Sequence, residues 1–189
     1  MQNLQMLEAQ VSTHPRILDL IAQLSDRHPA RAAAAAQELV PLGQDCTLAL
    51  LAAYPQVDRG VQAAIIQVLA RIADPLAFDL LLEVVGVAVA NHCQGNVRRV
   101  AARGLGQMAL NSGDLGLVRR AVDRLAWAIA HAEDWALRYA AVVSLQELAS
   151  PEAIAVLQAA EASEGDRVVR SRLQMAIAAL SSHQAGLDA

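Results

Sequence analysis

An all-α protein, built as a short α-solenoid of paired helices, is what this sequence predicts, and three observations carry the prediction. Hydrophobic residues make up 55% of the 189 while aromatics supply only 3%, so the apolar mass is Ala, Leu, Val and Ile, a composition suited to close-packed helices. Apolar residues recur at offsets 0, 4, 5, 8 and 11 of a frame that appears several times along the chain, and that spacing lines one stripe of a helix. Between the frames lie segments with helix-start signals of their own, so the helices come in pairs.

Taken in order, residues 1–28 read as preceding helical material, broken near Thr13-His14-Pro15 and Asp26-Arg27-His28-Pro29. An alanine-rich version of the frame follows, leading from Ala35 and Ala36 to Leu39 and Leu42. The next copy places Val61, Ile65, Ile66, Leu69 and Ile72 on one stripe. Asp74 then stands before Pro75, a capping oxygen ahead of a proline at the first helical position, where the missing N–H costs nothing; it opens a helix over roughly 75–90. The third copy carries Val97, Ala101, Ala102, Leu105 and Met108, and Asp114 opens a partner helix reaching about His131. Leu137, Ala141, Val142, Leu145 and Leu148 form the fourth copy, and Ser150-Pro151 starts its companion over roughly 151–162. Val169, Leu173, Ile177 and Leu180 form the last, with Gln174 interrupting one apolar position. Starts near 31, 61, 97, 137 and 169 are irregular in spacing, as in HEAT arrays, so one HEAT-like domain is expected over 1–180, followed by a small, polar, flexible tail over 181–189. Such a stack offers an extended binding surface but does not say what is bound.

Charge and residue usage exclude several classes of activity. A net charge of −4 argues against nucleic acid as a partner. All 15 basic residues are Arg, which removes a Schiff-base lysine and a lysine-bearing phosphate loop, and neither a nucleophile elbow nor an H-E-x-x-H motif is present. Cys46 and Cys93 are too few for a disulfide framework, which fits a reducing compartment. Met1 to Gln5 lacks the basic start of a signal peptide, and Leu80 to Ala90 is interrupted by Glu83 and falls short of the ~20 residues of a spanning helix. A cytoplasmic protein with no membrane insertion is expected. His92 and Cys93 are too few to hold a metal ion by themselves, so neither a metal nor a permanent cofactor is expected.

Chemistry concentrates in Asn91-His92-Cys93-Gln94-Gly95-Asn96, read as a polar connection that ends in a cap at Asn96. A thiol near a helix N-terminus and near Arg98 and Arg99 has a depressed pKa, and the adjacent imidazole exchanges a proton near neutrality. A polar turn with no chemical role is the competing reading of the same six residues. Around the segment, Arg98, Arg99, Arg103, Arg119, Arg120, Arg124 and Arg138 face only Asp114, Asp123, Glu133 and Asp134, a local balance of +3 in an acidic chain. Such a patch can clamp a small dianion, or its arginines can pair with acids of adjacent repeats; Arg98 and Arg138 share the same frame offset, which favours the second use for them. Trp127, Trp135 and Tyr139, beside Asp134, either fill a core poor in large side chains or stack on a planar ligand. Cys46, inside an apolar run, reads as a small buried hydrophobe.

The stretches Asn96 to Gly106 and Asp134 to Gln146 resemble the F-type subunits of phycobilin lyases, HEAT-like proteins that work with a longer E-type subunit to attach open-chain tetrapyrroles to antenna proteins. The resemblance spans roughly residues 60–180. Within that family the Asn91 to Asn96 segment is similar, at all six positions, to the motif marking the phycoerythrocyanin lyase-isomerases. The resemblance implies phycocyanobilin as substrate, an E-type subunit and the phycoerythrocyanin α-subunit as partners, and isomerisation of the attached pigment to phycoviolobilin. It implies that His92 and Cys93 serve the isomerisation. Asn91, Gln94, Asn96, Arg98, Arg99, Arg119, Arg120, Asp134, Trp135, Arg138 and Tyr139 are the binding candidates, several arginines being matched to the two propionates. Competing readings are a lyase that does not isomerise, a non-catalytic scaffold or chaperone for pigment or apo-subunit, and an antenna-degradation factor.

Overall fold

The computed structural model describes residues 15–86 and 92–187, with the side chains of all of these except residues 92–95 and 183–187. Among them there is no strand, and no helix is long and apolar enough to cross a membrane. The chain divides into two compact units, Met1–Ala77 and Phe78–Ala189. The first holds α1 (Pro15–Gln23), α2 (Pro29–Leu39), α3 (Gln44–Ala53) and α4 (Arg59–Ile72). The second holds α5 (Phe78–Gly86), α6 (His92–Ser112), α7 (Leu115–His131), α8 (Trp135–Leu148), α9 (Pro151–Ser163) and α10 (Arg167–Leu187). The last helix thus runs past residue 180, across the segment expected as a tail.

In the second unit α5, α7 and α9 pack side by side as one layer, and α6, α8 and α10 as another, with each helix also packed on its chain neighbour. Those are the two layers of a helical-pair stack. The frame residues form its interior: Ala101, Ala102, Leu105, Met108, Leu137, Ala141, Val142, Leu145, Val169 and Leu173 are fully buried. The first unit repeats the scheme with Val61, Ile65, Ile66 and Leu69. Gln174 is exposed, while α10 packs on α8 and α9.

Caps fall where short polar side chains precede the helices. Asp58, Asp114, Asp134 and Ser150 each accept a hydrogen bond from a first-turn amide of the helix they precede. Asp74 accepts from the amide of Leu76, but the chain first makes a short 3-10 turn over Pro75–Ala77, so α5 begins at Phe78. Helices α4 and α8 end in the same way. Ala73 and Ala149 take left-handed backbone, with φ of 55° and 50°, and their amides return to Leu69 and Leu145.

One frame position ties each frame helix to the helix before it. Gln62, Arg98, Arg138 and Arg170 all occupy offset 1, and each donates to carbonyls at the end of the preceding helix. Gln62 Nε2 reaches Tyr54 O at 3.0 Å, and Arg98 Nε and Nη2 reach Val85 O at 3.2 and 2.8 Å. Arg138 Nη1 reaches Ala132 O and Glu133 O at 2.8 and 3.1 Å, and Arg170 Nε reaches Glu164 O at 2.8 Å. The last carbonyls of a helix have no partner within it, and a cation there also meets the negative end of the dipole. Within their layer, α6 and α8 cross closely at Gly106, where a Cβ would lie 2.7 Å from that of Ser144. Ser144 Oγ donates to Ala102 O at 3.0 Å across the same crossing.

Candidate functional site

His92, Cys93 and Gln94 are the first three residues of α6, and Asn91 lies outside the described residues. The expected connection ending in a cap at Asn96 is therefore corrected: the helix already runs through Asn96, which sits exposed on its body. Nothing in His92-Cys93-Gln94-Gly95 forbids helical backbone. The lower propensities of Gly and Asn amount to about 1 kcal/mol or less per residue, which a long packed helix absorbs. The backbone of Cys93 consequently stands within the first turn, where unpaired amides gather partial positive charge.

The arginines separate into distinct uses. Arg98 is buried against Val85 O, and that burial lowers its pKa from the ordinary value while Asp134 opposes the shift. Arg138 is committed by its carbonyl bonds and by Glu164, whose carboxylate accepts from Nε at 2.9 Å and Nη2 at 3.1 Å. Arg119 and Arg120 belong to α7, in the other layer; both are exposed, and Arg120 pairs with Asp79 at 2.6 Å while lying over the Phe78 ring. Arg99 stands 3.8 Å from Asp134, which also caps α8. This contact brings the early part of α6 to the start of α8, where Trp135 is exposed. Arg103, not singled out by the sequence as a binding residue, makes a two-pronged contact with Glu147 on α8 and bonds Ser144.

One turn beyond Trp135, Tyr139 is half-buried, and the guanidinium of Arg172 lies over its ring at 5.9 Å. Tyr139, Arg167, Val168, Ser171, Arg172 and Met175 line an open groove of about 570 Å³ between α8 and α10. Of these only Tyr139 was legible as a binding candidate. Arg167 and Arg172 fall in the last repeat, outside the arginine-rich stretch that drew attention in the sequence. Trp127 sits away from this groove, with Arg124 over its ring and His131 stacked on it at 5.3 Å. The other thiol, Cys46, is buried near Leu39 O and Gly43 O, and burial pushes its pKa up to about 11, so it stays protonated at neutral pH. Among the described residues there is no group of three side chains able to hold a metal ion.

Two layers of paired helices, tied through helix-end carbonyls and carrying one polar, arginine-flanked helix start, define a HEAT-repeat protein; the family model "HEAT repeats" matches residues 86–178. The chain is 53% identical over 162 residues to "Bilin biosynthesis protein PecF" of Nostoc sp. (strain PCC 7120), covering 85% of this chain and 94% of that protein. It is 52% identical over 170 residues to the protein of the same name in Mastigocladus laminosus, covering 88% and 80% respectively. Among solved structures, a chain from the complex of CpcE and CpcF of phycocyanin lyase from Nostoc sp. PCC7120 matches with a TM-score of 0.73 and 32% identity, over 85% of this chain and 96% of that one. This chain belongs to the F-type bilin lyase family of HEAT-repeat proteins.

Proposed function

We propose that this chain is the F-type subunit of a bilin lyase-isomerase. With an E-type partner it joins phycocyanobilin to a cysteine of the phycoerythrocyanin α-subunit and shifts a double bond from position 4 to position 2, giving phycoviolobilin. The observation that carries this reading is the gap in identity. The chain shares 53% and 52% of aligned residues with two bilin biosynthesis proteins named PecF, against 32% with the chain from the phycocyanin lyase complex. The Asn91 to Asn96 motif supports the same choice, and the match to a chain of a two-subunit complex supports an E-type partner.

The chemistry asks little more than positioned proton carriers. Attachment adds the acceptor's S–H across a carbon–carbon double bond of the pigment, and isomerisation removes a proton from one carbon and delivers one further along the conjugated system. Neither step needs an oxidant, a reductant or a resident cofactor. His92 serves as the carrier, since an imidazole exchanges protons near neutral pH. Cys93, in the first turn of α6, assists the transfer or adds reversibly to the pigment. The final thioether belongs to the acceptor's cysteine. Arg99, near the start of the same helix and beside Asp134, is a partner for a propionate.

The test supplies wild type, His92→Ala and Cys93→Ser, each with E-type subunit, phycocyanobilin and apo-α-subunit, and records the product's absorption. Wild type is expected to give the violobilin spectrum, and the variants an unrearranged adduct or none, with rates lowered by about 100-fold or more. Unrearranged product from wild type would make the chain a non-isomerising lyase subunit. Violobilin formed at full rate by both variants would remove the assigned roles.

A further inference from the structure

We propose that the groove between α8 and α10 is a second anchor for the pigment, in which Arg167 and Arg172 hold a carboxylate of the open-chain tetrapyrrole beside the ring of Tyr139. The proposal rests on the reading of the chain as a bilin lyase subunit and adds to it a binding site remote from His92 and Cys93.

The groove has the size of a small-molecule site and the chemistry of an amphipathic one. Neither of its two cations is paired with a carboxylate among the described residues. Arg99, Arg103, Arg120 and Arg138 are each matched to a carboxylate, whereas Arg172 donates to the neutral amide oxygen of Gln146. Arg167 has no ion-pair partner among the described residues, and no acidic side chain lines the groove. Their place in the helix deepens the contrast. Both lie in the first two turns of α10, where a cation opposes the helix dipole, and neither is tied to a helix-end carbonyl as Arg170 is. Helix stability therefore gives no reason for them, and an incoming anion does.

The remaining lining limits what kind of anion. Val168 and Met175 are 51% and 64% exposed, and with Ser171 they form one face of α10 at helical spacing. Two guanidiniums, an aromatic ring already under a cation and an apolar floor suit a flat conjugated body bearing carboxylates better than a small inorganic anion. Position agrees. Arg99, two turns into α6, meets the cap of α8, and Arg172, in the second turn of α10, covers Tyr139, one turn into α8, so the three helices start at the same end of their layer.

The experiment uses the chain assembled with its E-type partner and titrates phycocyanobilin and its dimethyl ester, following pigment absorption. Arg167→Gln/Arg172→Gln is expected to weaken binding of the free diacid by about ten-fold or more and to leave the ester unchanged, while Arg167→Lys/Arg172→Lys recovers part of the loss. Unchanged affinity for the diacid, or equal losses for diacid and ester, would overturn the carboxylate anchor. Melting curves of the variants identify any loss of fold, and in that case Tyr139→Phe and Tyr139→Leu decide. Phe is expected to keep ester affinity and Leu to lower it several-fold, and equal affinities would count against the groove. The two readings fail separately: violobilin from wild type alongside indifferent arginine variants sinks only the anchor, and a wild-type complex that binds no pigment sinks both.

Discussion

Glu164 shows how much one side chain can be asked to do. Its carboxylate accepts both prongs of Arg138 and the amide of Asp166 at 2.8 Å, while its carbonyl takes Arg170. Burial alone would raise its pKa, but the Arg138 bonds, the Asp166 amide and the Arg138 charge outweigh it, and the carboxyl is held below its ordinary value. A depressed carboxyl pKa stabilises the fold above the unfolded-state value and loses that contribution as pH falls through the folded one. Glu164→Gln is therefore expected to cost about 3 kcal/mol near neutral pH, since Arg138 keeps a half-buried charge without its counter-ion. Denaturation curves of variant and wild type should converge in acid, and a gap that stayed constant down to pH 3 would contradict the pairing. None of this was legible in the sequence around Glu164. The shared offset of Arg98 and Arg138 was legible, but not their carbonyl partners, because every residue has a carbonyl and only the fold selects one.

Elements were read best where periodicity and caps agreed. The helix from Asp114 to His131 and the one opened by Ser150-Pro151 match within a residue, since a capping oxygen and a proline mark a start that packing has no reason to move. The start of α6 was misplaced because Asn96 is a good cap by type, whereas the helix gains its N-terminal turn from continuity with a well-packed body. The ends of α4 and α8 carried no signal, since Ala is an unusual choice for left-handed backbone. That makes Ala149 a place to gain stability. Glycine removes the steric cost of φ 50° and returns some chain entropy to the unfolded state, and the first effect is larger. Ala149→Gly is expected to stabilise the protein by about 0.5–1 kcal/mol, read as a rise in thermal midpoint; a lower midpoint would show that the terminal turn is not strained.

At the level of the whole chain, the repeats were visible because each copy buries the same stripe. Asp74-Pro75 looks in sequence like Ser150-Pro151, a corner inside one stack, yet the contacts fall into separate units on either side of Ala77. Nearest-neighbour packing is what makes this testable. In a helical-pair array each interface contributes on its own, so a unit that keeps its pairs keeps most of its stability. Phe78–Ala189 retains all the pairings among α5 to α10, including the α6–α8 crossing at Gly106 and the Arg138–Glu164 bridge. A chain cut to these residues is expected to stay helical and to melt in one cooperative transition, followed by ellipticity at 222 nm as temperature rises. A broad, non-cooperative loss of signal would mean that the repeat interfaces of the second unit do not suffice by themselves.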